Sequence, residues 1–245
     1  MLLLPGEQLD DLMINQLKII QHADEFRFSL DAVLLAHFAT VKPGACAVDL
    51  GAGAGAVSFL LAARGAGFVT GVEINERVAA MAQRSIEFNR LTNKVAIKPG
   101  DLRQVADHFS PGLCDLVVAN PPYRPVATGK ISPNDRLAIA RHEIKATLSD
   151  VVAAAKYLTK VRGRFALVHL PERLPEILQA MAAAGLEPKR LQLVYPKPER
   201  RAVMLLVEGI KGAKPGLDVL PPLMIYHDDG TYTESVMAYY KQVNE

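Results

Sequence analysis

The chain has 245 residues, a formal net charge of +2, and half of its residues are apolar. These values indicate one large globular domain, or one domain with modest additions. The apolar runs are shorter than the roughly 18 residues of a membrane span, and the N-terminus has no basic leader. We therefore expect a cytoplasmic protein with no membrane association.

The two cysteines, Cys46 and Cys114, stand in apolar, strand-like stretches and have no Cys or His at metal-ligand spacing. Such cysteines are typical of core thiols in a reducing compartment, so the sequence predicts neither a disulfide nor a metal site.

Strands and helices are predicted to alternate along the chain. A partly alternating stretch at 14–20 predicts a short strand, and Ser29 or Asp31 is expected to cap a helix that runs to Phe38. The further predicted strands are 45–50, 68–72, 95–98, 116–119, 164–169, 190–195 and 202–207, and the further predicted helices are 56–63, 76–91, 148–158 and 174–184.

This alternation predicts an α/β fold, a doubly wound Rossmann-like sheet that is mostly parallel. The last two strands are joined by a short proline-rich turn and should form an antiparallel hairpin at the edge of the sheet. Residues 1–40 are interpreted as a strand/helix extension packed on the core, and residues 41–245 as the main domain.

A glycine turn follows the first strand of the main domain, at Asp49–Gly55. Glycines allow a sharp turn and let a ligand lie against bare backbone. Glu73 ends the next strand, where a carboxylate can accept both ribose hydroxyls of an adenosine. Because Ala56 completes a Gly-x-Gly-x-x-Ala pattern, a nicotinamide dehydrogenase fits these residues nearly as well.

Gly100-Asp101-Leu102 follows the third strand of the main domain, on the same edge of the predicted sheet. The Asp101 carboxylate could accept the amino group of an adenine while the next backbone N–H meets a ring nitrogen. Asp101 could equally be a helix cap.

The run Asn120-Pro121-Pro122-Tyr123 ends the fourth strand of the main domain, which should lie beside the first at the topological switch point. The prolines make a rigid turn that exposes the Asn120 side-chain oxygen and the Pro121 carbonyl as acceptors. Two such acceptors can orient an exocyclic amine toward a sulfonium methyl group, and Tyr123 offers a flat face for a planar base or amide.

Basic residues are concentrated late in the chain, where residues 186–214 carry seven Lys or Arg against three acids. A basic cluster at the hairpin can bind phosphates, although a solvated charged face has the same composition. The cluster comprises Lys189, Arg190, Lys197, Arg200 and Arg201.

These motifs resemble the class I S-adenosylmethionine (SAM)-dependent amino-methyltransferases, and the chain as a whole is similar to the tRNA(Val) adenine N6-methyltransferase family. The resemblance extends over nearly the whole chain. Beyond the central motifs, it is carried by Phe26–Ala36, Ala140–Glu143, Val194–Lys197, Pro221–Leu223 and Gly230–Thr233.

The resemblance implies SAM as cofactor and a tRNA adenosine next to the anticodon as target. It implies that Asn120, Pro121 and Tyr123 act on the target base. The implied cofactor-binding residues are Asp31, Asp49, Gly51, Gly53, Gly55, Glu73, Asp101, Leu102 and Asn120. Arg124, Lys197, Arg200 and Arg201 are predicted to contact RNA, and no metal is implied.

Four alternatives stay open at this point. A non-catalytic RNA-binding module explains the basic hairpin but not the pocket. A protein-glutamine N5-methyltransferase or an rRNA guanine N2-methyltransferase would use the same Asn-Pro-Pro-Tyr run. An NAD(P)-dependent dehydrogenase explains the glycine turn but gives residues 120–123 no role. The role of Arg141-His142-Glu143, whether structural or RNA-binding, and the oligomeric state do not follow from the sequence.

Overall fold

The structure is a computed structural model that describes residues 3–25, 28–121 and 146–241. Its strands are β1 Glu7–Asp11, β2 Lys18–His22, β3 Cys46–Leu50, β4 Phe68–Glu73, β5 Val95–Pro99, β6 Cys114–Ala119, β7 Thr159–His169, β8 Leu186–Tyr195, β9 Met204–Lys211, β10 Asp218–Val219 and β11 Leu223–Met224. The helices are α1 Leu30–Phe38, α2 Ala56–Ala63, α3 Glu76–Phe88, α4 Leu148–Leu158, α5 Leu174–Ala183 and α6 Glu234–Lys241, with 3₁₀ turns at Leu102–Asp107 and Pro171–Arg173.

Nine strands form the central sheet, in the order β10-β8-β9-β7-β6-β3-β4-β5, with β11 also paired to β8. Strands β3 to β7 are parallel, and β9 runs antiparallel to both β7 and β8. The predicted doubly wound sheet with an antiparallel edge hairpin is therefore confirmed. The hairpin strands are longer than predicted, because β8 begins at Leu186 and β9 extends to Lys211.

The topological switch point lies between β3 and β6. Leu50, at the end of β3, pairs with Val72 of β4 on one side and with Ala119 of β6 on the other. The chain therefore continues from β3 to β4 and β5 on one side of β3, and it then returns to form β6 on the other side. The carboxyl ends of β3, β4 and β6 meet at one edge of the sheet, where ligands bind in folds of this kind.

Two hydrophobic cores lie on opposite faces of the sheet. One contains buried residues of α1, α2 and α3, such as Phe59 of α2. The other contains buried residues of α4 and α5, such as Ile177 of α5. Helix α2 is apolar all round because it is buried between the sheet and α1. Burial of each large side chain stabilises the fold by about 1.5–3 kcal/mol.

The N-terminal segment differs from the sequence expectation. Instead of one strand at 14–20, β1 and β2 form a separate antiparallel sheet. Several hydrogen bonds hold it on α3. Among them, the Ile20 amide donates to Ser85 Oγ at 2.9 Å, and the Lys18 amide donates to Asn89 Oδ1 at 2.9 Å. Residues of this segment share a hydrophobic cluster with the sheet. The division into 1–40 and 41–245 stays a prediction.

Candidate active site

The glycine turn is held against the neighbouring strand by its own backbone. The amides of Gly51 and Ala52 both donate to the Val72 carbonyl, at 2.9 and 3.0 Å. Gly51, Gly53 and Gly55 have φ angles of +73°, +55° and +95°, a region that other residues seldom adopt. The local sequence thus determines a tight turn from β3 into α2.

Open space lies above this turn. A Cβ atom added at Gly51 or Gly53 would meet nothing within 4 Å, so these two glycines are not required for packing inside the protein. At Gly55 the added atom would stand 3.0 Å from the Phe59 ring. Gly51 and Gly53 therefore border a space that a ligand can occupy. Gly55 has a further role, because the absence of a side chain lets the Phe59 ring pack against the start of α2.

Glu73 connects the glycine turn to the start of α3. One carboxylate oxygen accepts the Gly53 amide at 2.8 Å, and the other accepts the Asn75 amide at 2.8 Å. A carboxylate oxygen has two lone pairs and can accept more than one donor. The position therefore fits the predicted contact with a ribose.

Asp49 is a buried carboxyl group beneath the same turn, with 1% of its surface exposed. The Ser58 hydroxyl of α2 donates to it at 2.8 Å. Burial raises the pKa of Asp49 to about 7, and the nearby Glu73 carboxylate adds to this rise, while the Ser58 hydrogen bond opposes it. Asp49 is a group whose charge responds to small changes in its surroundings.

Asp101 caps the short 3₁₀ turn that Leu102 begins. Its carboxylate accepts the Arg103 amide at 2.9 Å and forms an ion pair with the Arg103 guanidinium at 2.5 Å. This pairing holds the pKa of Asp101 below its ordinary value. The Gly100 amide donates to the Glu73 carbonyl at 2.9 Å, which joins this turn to the end of β4. The cap alternative is therefore realised, and adenine binding by Asp101 and Leu102 stays a prediction.

Asn120 follows β6 directly at the switch point. Because Leu50 pairs with Ala119, Gly51 and Asn120 are both the first residue beyond that pair, on strands spaced about 4.8 Å apart. The structure thus brings the glycine turn and the start of the Asn-Pro-Pro-Tyr run to the same edge of the sheet. Pro122, Tyr123 and Arg124 lie outside the described residues, as do Arg141-His142-Glu143.

Asp31 lies in the first turn of α1 and is buried. Its carboxylate accepts the Ser29 hydroxyl at 2.6 Å and the Ala32 amide at 2.8 Å. Helix α1 packs against α2, the helix that the glycine turn opens. A contact between Asp31 and a cofactor stays a prediction.

Three residues of the site were missed at the level of sequence. Ser58 binds Asp49, and Asn75 caps α3 through its side chain while its amide binds Glu73. A Cβ at Gly71 of β4 would lie 2.4 Å from Ile97 and 2.6 Å from Ala52, so only glycine fits under the turn. A glycine inside a predicted strand and an Asn before a helix are signals that could have found the last two.

The charges of the site favour a cationic ligand. Asp49, Glu73 and Asp101 follow or end three adjacent strands at the same edge of the sheet. SAM carries a sulfonium and an ammonium group beside an adenosine, and it fits both this charge and the open space above the glycines.

No group of His, Cys, Asp or Glu residues suited to hold a metal ion occurs among residues 3–25, 28–121 and 146–241. In the same ranges, no helix is long and apolar enough to cross a membrane.

Known proteins resemble this chain in sequence and in fold. The family model of the methyltransferase small domain matches residues 29–168, which is more than half of the chain. A tRNA1(Val) (adenine(37)-N6)-methyltransferase of Porphyromonas gingivalis is 28% identical over 235 residues, covering 91% of each chain. One of the same name from Dyadobacter fermentans is 24% identical over 235 residues, covering 92% of this chain and 95% of its own.

Among solved structures, one from Agrobacterium tumefaciens, described as a predicted O-methyltransferase, is 26% identical and superposes with a TM-score of 0.68. It covers 86% of this chain, and this chain covers 95% of it. The family match does not support the dehydrogenase alternative. The chain belongs to the methyltransferase small domain family and is a class I SAM-dependent methyltransferase with an amino-methyltransferase motif.

Proposed function

We propose that the protein methylates the exocyclic N6 amine of an adenine in tRNA, and that its target is the adenosine next to the anticodon of tRNA(Val). The observation that carries the proposal is the position of Asn120-Pro121 beside the glycine turn. This position supports a role for the Asn120 side-chain amide and the Pro121 carbonyl as acceptors next to the proposed methyl-donor site. A tRNA substrate also implies a cytoplasmic location.

The chemistry asks little of the protein beyond positioning. SAM supplies an electrophilic methyl group on its sulfonium. Asn120 and the Pro121 carbonyl accept the two N–H hydrogens of the target amine and thereby direct its lone pair away from the ring. Once methylated, the nitrogen is acidic enough to release a proton to water, so no strong base is required.

The names of the relatives favour tRNA as the substrate. Proteins of Porphyromonas gingivalis and Dyadobacter fermentans that match more than nine-tenths of this chain are named tRNA1(Val) (adenine(37)-N6)-methyltransferases. Their identities of 24–28% support an adenine in tRNA as the substrate class and leave the individual tRNA to experiment.

The basic hairpin supports the same proposal through its location. Strand β8 is antiparallel to β9, and β9 is antiparallel to β7, so β8 runs in the direction of β7. Its end at Tyr195 therefore lies on the edge that carries Gly51 and Asn120. Three strand spacings separate β8 from β6, or about 14 Å. A tRNA loop that places its base at Asn120 can reach the turn at 196–203.

Within the basic cluster, only the tip is suited to bind RNA. Arg200 and Arg201 are exposed, and neither forms an ion pair with another described residue. Lys197 Nζ donates to the Asp228 carbonyl at 2.8 Å, which fixes the tip to the C-terminal segment. Lys197, Arg200 and Arg201 therefore stay the proposed phosphate contacts.

Lys189 and Arg190 do not belong to this tip, contrary to the grouping expected from sequence. They lie in the middle of β8, roughly 20 Å from the tip along the strand. Arg190 forms an ion pair with the buried Glu208 at 3.3 Å, and Lys189 Nζ donates to the Lys214 carbonyl at 3.3 Å. Both therefore have structural partners away from the tip.

Incubation with labelled SAM and total tRNA from a strain that lacks the gene tests the proposal. We expect N6-methyladenosine in the digested product, located in tRNA(Val), and no incorporation by an Asn120→Ala control. A methylguanosine product, or labelling of protein glutamine instead of RNA, would contradict the substrate and leave the methyltransferase fold intact.

Tyr123 provides a second test of the adenine substrate, although it lies outside the described residues. If Tyr123 stacks on an extruded base, Tyr123→Phe should change the binding of the target base only slightly, because the aromatic ring is kept. Tyr123→Ala should lose roughly 1–3 kcal/mol in binding of the target base. Single-turnover methylation of purified tRNA measures both variants.

A further inference from the structure

The only two cysteines of the chain lie side by side in the folded protein. Cys46 begins β3 and Cys114 begins β6, and these strands are paired in the sheet. Their side chains belong to the same hydrophobic cluster, although the two residues are far apart in the sequence. This contact is at the amino edge of the sheet, opposite the glycine turn.

An irregularity in β6 puts both thiols on one face. Val117 and Ala119 point into the core beside α4 and α5, and regular alternation would turn Cys114 to the other face. The pairing of β6 with β7 shifts register between Cys114 and Leu116. Cys114 consequently joins the same core cluster as Val117, and Cys46 packs against that cluster from its margin.

The two thiols have different access and different acidity. Cys46 is half-buried, whereas Cys114 is fully buried. The hydrogen bond from Cys114 lowers the pKa of Cys46 to about 7, and Lys160 contributes in the same direction, against the effects of burial and of Asp115. The contact with Cys46, together with burial, raises the pKa of Cys114. Cys46 is thus the accessible nucleophile and Cys114 a protected second thiol.

We propose that Cys46 and Cys114 are a redox-modification site, at which a small-molecule disulfide such as oxidised glutathione converts the thiol pair into an intramolecular disulfide. Cys46 thiolate attacks one sulfur of the reagent, whose S–S bond breaks and releases one glutathione thiolate. The Cys114 sulfur then attacks Cys46, its proton leaves, and the second glutathione departs as a thiol. Two cysteine thiols are oxidised, and one glutathione disulfide is reduced to two thiols.

Intact-mass measurement of the folded protein after incubation with oxidised glutathione tests this inference. We expect the wild type to lose the mass of two hydrogen atoms. Cys114→Ser should instead keep one glutathione on Cys46, because no second thiol can displace it. Cys46→Ser should stay unmodified, because Cys114 is buried.

A measurement on the wild type alone keeps the test independent of how the variants fold. Proteolytic mapping without reducing agent should yield one peptide pair joined through Cys46 and Cys114, from protein that is monomeric on a non-reducing gel. A stable glutathione adduct without the cross-link, a disulfide between two chains, or an unmodified protein would each overturn the inference.

Discussion

Asp49 combines nearly complete burial with a position beneath the glycine turn that is proposed to bind the cofactor, and its replacement by asparagine tests the electrostatics of the site. Asparagine has the size of a protonated aspartic acid, and its oxygen can still accept the Ser58 hydroxyl. We expect Asp49→Asn to unfold at a higher urea concentration than the wild type at pH 8, and at the same or a slightly lower concentration at pH 4.

The sign follows from the pKa of Asp49, which rises from 3.8 to about 7 on folding. Below pH 4 the group is protonated in both states and contributes nothing. Between pH 4 and 7 the unfolded chain loses the proton and the folded protein keeps it, so the wild type loses stability as the pH rises. Above pH 7 the loss is complete. It amounts to about 4 kcal/mol, from roughly 1.4 kcal/mol for each of about three pKa units.

Because the amide group of asparagine brings two donors into a buried site, we expect a gain of roughly 2–4 kcal/mol rather than the full value. Urea unfolding of both proteins at pH 4, 6 and 8 measures it. Asp115→Asn is the matched control, because Lys160 lowers the pKa of Asp115, so this variant should lose stability at pH 8. If the difference between Asp49→Asn and wild type is the same at all three pH values, the reasoning is wrong.

The negative charge of Asp49 destabilises the folded protein, but it should strengthen the binding of a cationic cofactor. A sulfonium near Asp49 favours its ionised form, so SAM binding by the wild type should strengthen from pH 6 to pH 8 and release a proton. Asp49→Asn should bind more weakly at pH 8 and without this pH dependence. Calorimetric titrations in buffers of different ionisation enthalpy measure the affinity and the proton release together.

Further predictions concern the ribose contact, the target amine and the RNA. Glu73→Ala should weaken SAM binding by roughly 1–3 kcal/mol in a titration, and an unchanged affinity would remove Glu73 from the cofactor site. Asn120→Ala should collapse kcat in single-turnover methylation while SAM binding stays nearly intact; a variant as fast as wild type would exclude the proposed role. Replacing Lys197, Arg200 and Arg201 by alanine should lower the affinity for tRNA. The slope of log affinity against log salt concentration should fall by roughly one unit for each lost phosphate contact. If the variant binds tRNA like the wild type at every salt concentration, these side chains form a solvated surface that does not contact RNA.

The sequence by itself determined the features that depend on neighbouring residues. The strand-turn-helix unit around Gly51 follows from glycines that alone adopt its backbone angles, and α2 and α4 have the predicted bounds because their capping and apolar patterns are local. The position of β6 beside β3 was also predicted from the sequence, because right-handed crossovers allow few strand orders in a doubly wound sheet.

Only the tertiary structure decided contacts between residues on different strands and helices. The hydrogen bond from Ser58 to Asp49, the removal of Arg190 from the RNA-binding tip by Glu208, and the meeting of Cys46 with Cys114 all depend on strand register and helix packing. These contacts cannot be read from a residue pattern, because pKa values and ion pairs depend on burial and on distance. Burial and distance are fixed only when the helices pack on both faces of the sheet.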